Sequence, residues 1–150
     1  MAVLTLPGDF KEFLKLLASH GAEYLLVGGY AVSAHGYPRF TNDLDIWIGI
    51  NSQNAVAVAK ALTDFGFGGD SLTPDLFMTP NNVIRMGVPP LRLEILTSIS
   101  GVDFDQCYAE RKTFAIDEVQ VPVISIERLK QNKAAAGRPK DLIDLDHLPK

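Results

Sequence analysis

The segment 25–48, LLVGGYAVSAHGYPRFTNDLDIWI, constrains the fold of this chain more than any other. An apolar run ends at the glycine pair Gly28 and Gly29, and a short helix is predicted directly after that pair. A second apolar run begins at Asp43 and Asp45, which stand two residues apart. Because side chains alternate along a strand, both carboxylates are predicted to project from one face, with Cα atoms roughly 6.6 Å apart.

These residues suit two kinds of ligand. Carboxylate oxygens are the donors that hard divalent cations prefer, so Asp43 and Asp45 form a candidate metal-binding face. Gly28 and Gly29 would let the backbone approach a ligand closely, and the helix after them would offer free N–H groups to an anion. The segment therefore suggests a metal–nucleotide site. The alternative is that Asp43 and Asp45 are ordinary residues at the start of a strand.

Composition limits the class of protein. The 150 residues are 47% hydrophobic and 21% charged, as expected for one compact globular domain over residues 1–150. A net charge of −4 without a long basic run disfavours a protein that coats nucleic acid. The single cysteine, Cys107, excludes an internal disulfide and favours a reducing compartment. No signal peptide and no apolar stretch of about 20 residues is visible, so we expect a soluble cytoplasmic protein.

The pattern along the chain predicts an α+β fold. Asp9 is expected to cap a first helix over 10–19, and Val56 is expected to face the core from a helix over 52–65. The remaining segments predict strands at 24–27, 44–50, 83–86, 91–96, 113–116 and 119–123, and helices at 30–35, 104–110, 126–136 and 139–148. This order indicates a mixed β-sheet flanked by helices, with a C-terminal helical pair.

The same residues resemble a known family. The pair Gly28-Gly29, a spacer of 13 residues and then Asp43-Leu44-Asp45 resemble the signature of the DNA polymerase beta-like nucleotidyltransferase superfamily. The wider phrase GGYAVSAHG…RFTNDLDI is similar to small bacterial members, including those of toxin–antitoxin and abortive-infection loci. Glu94, in LRLEILTSI, falls where the family places a third carboxylate, and KAAAGRPKDLIDLDHL is similar to its C-terminal helix pair.

The resemblance implies a site and a reaction. Asp43, Asp45 and Glu94 would be catalytic and would bind one or two Mg²⁺ ions, while Gly28 and Gly29 would seat a nucleoside triphosphate (NTP). A nucleotidyl group would pass to an acceptor hydroxyl with release of pyrophosphate. The nucleotidyltransferase core would span about 1–105, followed by strands and helices over about 106–150. Two departures from the family pattern are Gly-Gly in place of Gly-Ser, and Glu in place of the commoner Asp as the third acid.

Further side chains are candidates for binding the nucleotide. Arg39, beside Thr41 just before the acids, could clamp a phosphate with two hydrogen bonds, or could be a solvated loop arginine. Lys133 and Arg138 could reach the triphosphate, or could pair with nearby aspartates. Trp47 shares the face of the acids but is expected to be a core residue.

A rival hypothesis keeps the fold without turnover. Only residues 95–150 follow Glu94, which leaves little room for a large acceptor-binding domain. The acceptor, whether protein, tRNA or small molecule, is therefore expected to be brought by a partner protein or to bind with the help of a second subunit in a homodimer. The rival is a non-catalytic nucleotide- or partner-binding module, similar to an antitoxin. The sequence leaves open which NTP is preferred.

Overall fold

The computed structural model describes residues 5–69, 72–87 and 91–150, and these build a single six-stranded sheet with helices packed on it. The strands are β1 (Tyr24–Val27), β2 (Asp43–Ile48), β3 (Val83–Met86), β4 (Arg92–Leu96), β5 (Lys112–Ile116) and β6 (Val119–Val123). The helices are α1 (Gly8–Ser19), α2 (Gly28–Ala34), α3 (Ser52–Phe65), α4 (Phe104–Ala109), α5 (Ile126–Ala136) and α6 (Pro139–His147), with a 3₁₀ turn at Pro74–Phe77.

The sheet is mixed, which confirms the predicted α+β fold class. Its strand order is β3-β4-β2-β1-β6-β5. The β2/β4 and β1/β6 pairs are parallel, whereas β1/β2, β3/β4 and β5/β6 are antiparallel. Every residue of β1 is buried, as its central position requires. Because β6 pairs with β1, the strands after residue 105 extend the same sheet.

Local sequence explains most of the element boundaries. Asn51 caps α3 by accepting a hydrogen bond from the Asn54 backbone N–H, and α3 ends at Gly66 with a φ of 108°. Ser125 caps α5 in the same way, and Gly137 ends it with a φ of 66°. These ends follow the sequence pattern, because caps and C-terminal glycines satisfy the backbone groups that a helix leaves free.

Three details of the helices differ from expectation. Helix α2 begins at Gly28, so the glycine pair forms its first two residues and not a turn before it. Asp9 does not cap α1, because that helix begins at Gly8, two residues earlier than predicted, after Pro7 and with no side-chain cap. Val56 is exposed, while Ala55 and Val58 of α3 are fully buried. Each residue turns a helix by about 100°, so Val56 lies outside the buried stripe that its neighbours define.

The strand boundaries shift by a residue or two from those predicted. β2 spans Asp43–Ile48, so Asp43 belongs to the strand. The predicted hairpin between β3 and β4 has the expected antiparallel pairing, although part of its turn, residues 88–90, lies outside the described residues. Within the described parts of the chain, no helix is both long enough and apolar enough to cross a membrane.

Candidate functional site

The register of three neighbouring strands brings the predicted acids together. Asp45 of β2 pairs with Glu94 of β4, and Asp43 pairs with Arg92 in the same parallel ladder. On the other side of β4, Arg85 of β3 pairs with Glu94. Paired residues project from the same face of a sheet, so Arg85, Glu94 and Asp45 form one row across three strands. Asp43 and Arg92 form the next row.

This face forms one wall of a cavity of about 660 Å³, a volume in the range of small-molecule sites. The ends of α5 and α6 supply the opposite wall. Acidic and basic side chains both line the cavity; they are Asp43, Asp45, Glu94, Arg85, Arg92, Lys133, Arg138 and Lys140. Uncharged polar residues, Ser98, Ser100 and Asn132, complete its edge, and Gly28 contributes backbone. The cavity thus joins carboxylates to a cationic rim.

The carboxyl group of Asp45 is buried without full compensation of its polar atoms. Its Oδ1 atom is buried and has no hydrogen-bond partner. Burial raises the pKa of Asp45 to about 8, and the negative charges of Glu94 and Asp43 act in the same direction, against the opposing charge of Lys140. For Glu94, burial alone would raise the pKa, but hydrogen bonds from Arg85 and Asp45 hold it below its usual value. Burial and the neighbouring carboxylates therefore favour the protonated form of Asp45 in the metal-free protein.

Two arginines pair with the other carboxylate oxygens. Arg85 Nε donates to Glu94 Oε1 at 2.9 Å. Arg92 Nε lies 3.4 Å from Asp43 Oδ1. The side chains of Arg85 and Arg92 are 64% and 44% exposed, whereas Glu94 and Asp43 are 16% and 34% exposed. The guanidinium groups therefore lie at the solvent side of the cavity and the carboxylates lie deeper.

Asp45 and Glu94 are the pair of carboxylates that could bind a divalent cation. Over the described ranges, no group of three or more His, Cys, Asp or Glu side chains is arranged to hold a metal, so the metal-binding role of Asp43, Asp45 and Glu94 stays a prediction. Asp43 lies beside Arg92. Asp45 and Glu94 nevertheless fit a divalent cation, because two carboxylates in contact need either a proton or a cation between them, and Asp45 Oδ1 is free to coordinate.

The glycine pair has packing reasons of its own. Gly28 has a φ of 68°, and a β-carbon there would overlap Asp45 Oδ2. Gly29 is buried, and a β-carbon there would lie 2.9 Å from Thr41 Oγ1. The closest approach to each glycine is thus made by a side chain of this chain. Gly28 lines the cavity, whereas Gly29 and Thr41 pack beside it.

Arg39 lies elsewhere. Its Nε and Nη2 atoms each donate to Asp144 at 2.8 Å, and it does not line the cavity. Neither predicted role matches this geometry, because Arg39 is neither at the candidate phosphate site nor a solvated loop residue. Its two hydrogen bonds connect the segment before β2 to α6.

Lys133 and Arg138 pair with aspartates, the alternative that the sequence left open. Lys133 Nζ is buried and lies 3.1 Å from both Asp141 Oδ1 and Asp144 Oδ2. Arg138 Nε donates to Asp141 Oδ2 at 2.6 Å, but its side chain is 62% exposed and it lines the cavity. Arg138 can therefore still meet a ligand, whereas Lys133 acts mainly by supporting α6.

Sequence reasoning missed Arg85, Arg92 and Lys140 as lining residues. Arg92 stands two positions before Glu94, so strand alternation alone places it on the same face. Arg85 could be found only through the β3/β4 register, which the turn length did not fix. Trp47 was predicted correctly as a core residue: it is buried and packs edge-on against Phe104, with ring centroids 5.2 Å apart.

Comparison with known proteins places the chain in a family. Residues 8–150 match the profile of the family described as "Nucleotidyl transferase of unknown function (DUF2204)". The chain belongs to this family. The DUF2204 chain is also similar in structure to a crystal structure described as a "putative nucleotidyltransferase" from Thermotoga maritima, with a TM-score of 0.63 and 15% identity over 91% of this chain and 88% of that one. At that identity the likeness concerns the fold. No curated protein matches the chain.

Proposed function

We propose that this DUF2204 protein is a Mg²⁺-dependent nucleotidyltransferase. It would transfer a nucleotidyl group from an NTP to an acceptor hydroxyl, with pyrophosphate as the leaving group. The observation that carries the proposal is the buried, unpartnered Oδ1 of Asp45 beside Glu94, in a cavity whose rim is cationic. A cation bound by Asp45 and Glu94 would compensate their negative charge, and the basic side chains of the rim would compensate the negative charge of a polyphosphate.

Each part of the site has a chemical task in this proposal. Asp45 and Glu94 would hold Mg²⁺, with Asp43 as a further ligand, and bound Mg²⁺ would neutralise charge on the reacting and leaving oxygens. Arg138 and Lys140 lie on the opposite wall and would bind phosphate oxygens there. Gly28 keeps the space that the Asp45 carboxylate occupies. The chain itself then supplies binding, orientation and charge compensation, which are most of what phosphoryl chemistry requires.

A second candidate function is supported by a separate observation. Asp43, Asp45 and Glu94 share one face, but Asp43 is paired with Arg92 and the three are not arranged to hold a metal in the metal-free protein. A non-catalytic module that binds a nucleotide, or a partner protein, would need no such arrangement. A role in a toxin–antitoxin or phage-defence system, and a cytoplasmic location, remain proposals that rest on the sequence alone.

The test separates turnover from binding. The protein is melted with each of the four NTPs, with and without Mg²⁺, and is then incubated with each α-labelled NTP, Mg²⁺ and a cell lysate. A nucleotide at 100 times its dissociation constant would stabilise the fold by about 2.7 kcal/mol. We expect Mg²⁺-dependent stabilisation and transfer of label to an acceptor, and neither for Glu94→Gln. Stabilisation without transfer would favour the nucleotide-binding module. No stabilisation by any NTP would contradict both the nucleotidyltransferase and the nucleotide-binding module, and would leave the partner-binding module.

A further inference from the structure

Arg85 and Arg92 form ion pairs with the carboxylates that would hold the metal. Arg85 bonds Glu94 from the neighbouring strand, and Arg92 faces Asp43 across the β2/β4 ladder. These contacts follow from register, since each arginine stands directly opposite its acid in the sheet. The two pairs therefore occupy, in the metal-free protein, positions that a cation would need.

The Arg85–Glu94 and Arg92–Asp43 ion pairs can separate at little energetic cost. Both arginine side chains are at least 44% exposed, and β3 is an edge strand with a neighbour on one side. Exposed ion pairs contribute little net stability, because solvent screens them and each long side chain loses rotamer freedom. Neither arginine has another side-chain partner among the hydrogen bonds of the described residues. Release of these arginines therefore disrupts no buried network, unlike release of Arg39.

We propose that Arg85 and Arg92 are exchange ligands: they hold Glu94 and Asp43 in the free protein and pass to phosphate oxygens when a metal–polyphosphate binds. The inference rests on the proposed function and deepens it. A divalent cation at the carboxylates removes the charge that attracts the arginines. The freed guanidinium groups then lie at the mouth of the same cavity, opposite Arg138 and Lys140.

Arginine is suited to this exchange. Its planar group of donors forms paired hydrogen bonds with either a carboxylate or a phosphate, so one side chain can serve both partners. The exchange would also keep charge balanced, because the arginines compensate the acids before binding and the polyphosphate after it. Metal and polyphosphate would therefore bind cooperatively, each favouring the arrangement that the other requires.

The proposal predicts opposite effects on two ligands. In Arg85→Gln and Arg92→Gln, Mn²⁺ alone should bind about two- to fivefold more tightly, because an exposed competitor for the carboxylate is gone. Inorganic triphosphate with Mg²⁺ should bind about tenfold or more weakly, because a charge-assisted hydrogen bond to phosphate is lost. Both affinities are measured by titration calorimetry. Triphosphate is chosen as the probe because it carries no base.

Matched variants exclude simpler causes. Lys112→Gln removes the same charge from β5, at the opposite edge of the sheet, and should change neither affinity. Arg85→Lys and Arg92→Lys keep the charge but lose the planar group, and should restore only part of the triphosphate affinity. A melting curve for each variant checks the fold. A direct readout is the Arg85 Nε–H resonance, which should shift when Mg²⁺-triphosphate is added, because Nε leaves Glu94.

The outcomes separate this inference from the proposed function. If the wild type binds Mn²⁺ and Mg²⁺-triphosphate but the arginine variants behave like Lys112→Gln, the exchange is wrong and the nucleotidyltransferase proposal stands. A variant that weakens both ligands equally, or an Arg85 resonance that does not move, would also overturn the exchange. If the wild type binds neither ligand, both proposals fail.

Discussion

The Asp45 carboxylate of β2 occupies the space that a β-carbon at Gly28 would need. The contact joins the first residue of α2 to β2, and it limits where the Asp45 carboxylate can lie in the cavity. Gly28 also has a φ of 68°, a conformation that other residues adopt only with strain. The glycine is therefore required both by the backbone and by the acid beside it.

Gly28→Ala should separate these two requirements. The left-handed backbone should cost about 1–2 kcal/mol of stability, and the new methyl group should displace the Asp45 carboxylate. We expect Mn²⁺ affinity to fall about 10- to 100-fold, as when the support of a metal ligand is lost. Calorimetric titration with Mn²⁺ and urea unfolding measure the two effects.

Gly21→Ala is the matched control. Gly21 has a φ of 70°, nearly that of Gly28, but nothing lies within 4 Å of a β-carbon built there. It should lose similar stability and retain full Mn²⁺ affinity. Equal losses of Mn²⁺ affinity in the two variants would mean that the contact between Gly28 and Asp45 does not position the acid.

The buried pairing of Asp144 should make the protein sensitive to acid. Burial alone would raise the pKa of Asp144, but hydrogen bonds from Arg39 and Lys133 hold it below its usual value. A carboxylate whose pKa is lowered by folding contributes stability that is present above the unfolded pKa of about 3.9 and is lost as pH falls through the folded pKa. Urea unfolding from pH 7 to pH 2.5 should therefore show a steep loss of stability below about pH 4.

Asp144→Asn tests that assignment. Removing the charge leaves Arg39 and Lys133 beside a neutral group in a buried setting, so stability at pH 7 should fall by about 3–5 kcal/mol. The loss below pH 4 should be shallower than in the wild type, with the remaining slope due to Asp141 and other carboxylates. An unchanged acid profile in the variant would assign the sensitivity to other groups.

Arg39 and Arg138 should respond in opposite ways to substitution. Arg39→Lys loses the paired hydrogen bonds to Asp144, so it should lower the melting temperature and leave Mg²⁺-triphosphate affinity unchanged. Arg138→Gln removes an exposed cation of the cavity, so it should weaken triphosphate; because Lys133 still pairs with Asp141, its loss of stability should be smaller than that of Asp144→Asn. If Arg39→Lys weakened triphosphate at unchanged stability, the phosphate clamp first expected of Arg39 would be restored.

The sequence predicted the elements better than the contacts. Strand alternation was sufficient to place Asp43, Asp45 and Glu94 on faces that the β2/β4 register then brought together. Caps and glycines predicted the ends of α5 because those signals act over a few residues. The membership of Arg85 in the site depends on a pairing between strands, which local pattern does not determine.

Long-range ion pairs account for the remaining differences. Arg39 and Asp144 are 105 residues apart in the chain, and nothing in the local sequence of either residue indicates the other. The same holds for Gly28: its role in seating a nucleoside triphosphate stays a prediction, and nothing in the local sequence indicates that the Asp45 carboxylate lies against it. Contacts such as Arg39–Asp144 and Gly28–Asp45 depend on tertiary packing, which the local sequence pattern does not determine.

Asp45→Asn is the most direct test of the metal–nucleotide site. The substitution keeps size and replaces the carboxyl by a neutral amide, so at pH 7 the metal-free variant should melt at or above the wild-type temperature, because folding no longer has to raise the pKa of a buried carboxyl. The measurement is the melting temperature of both proteins with and without Mg²⁺ and NTP, with pyrophosphate release recorded in parallel. We expect the ligand-dependent stabilisation to disappear and pyrophosphate release to fall by about 10²–10³. A variant that is stabilised by Mg²⁺ and NTP as fully as the wild type, or that melts much lower without them, would contradict the assignment of Asp45 to the site.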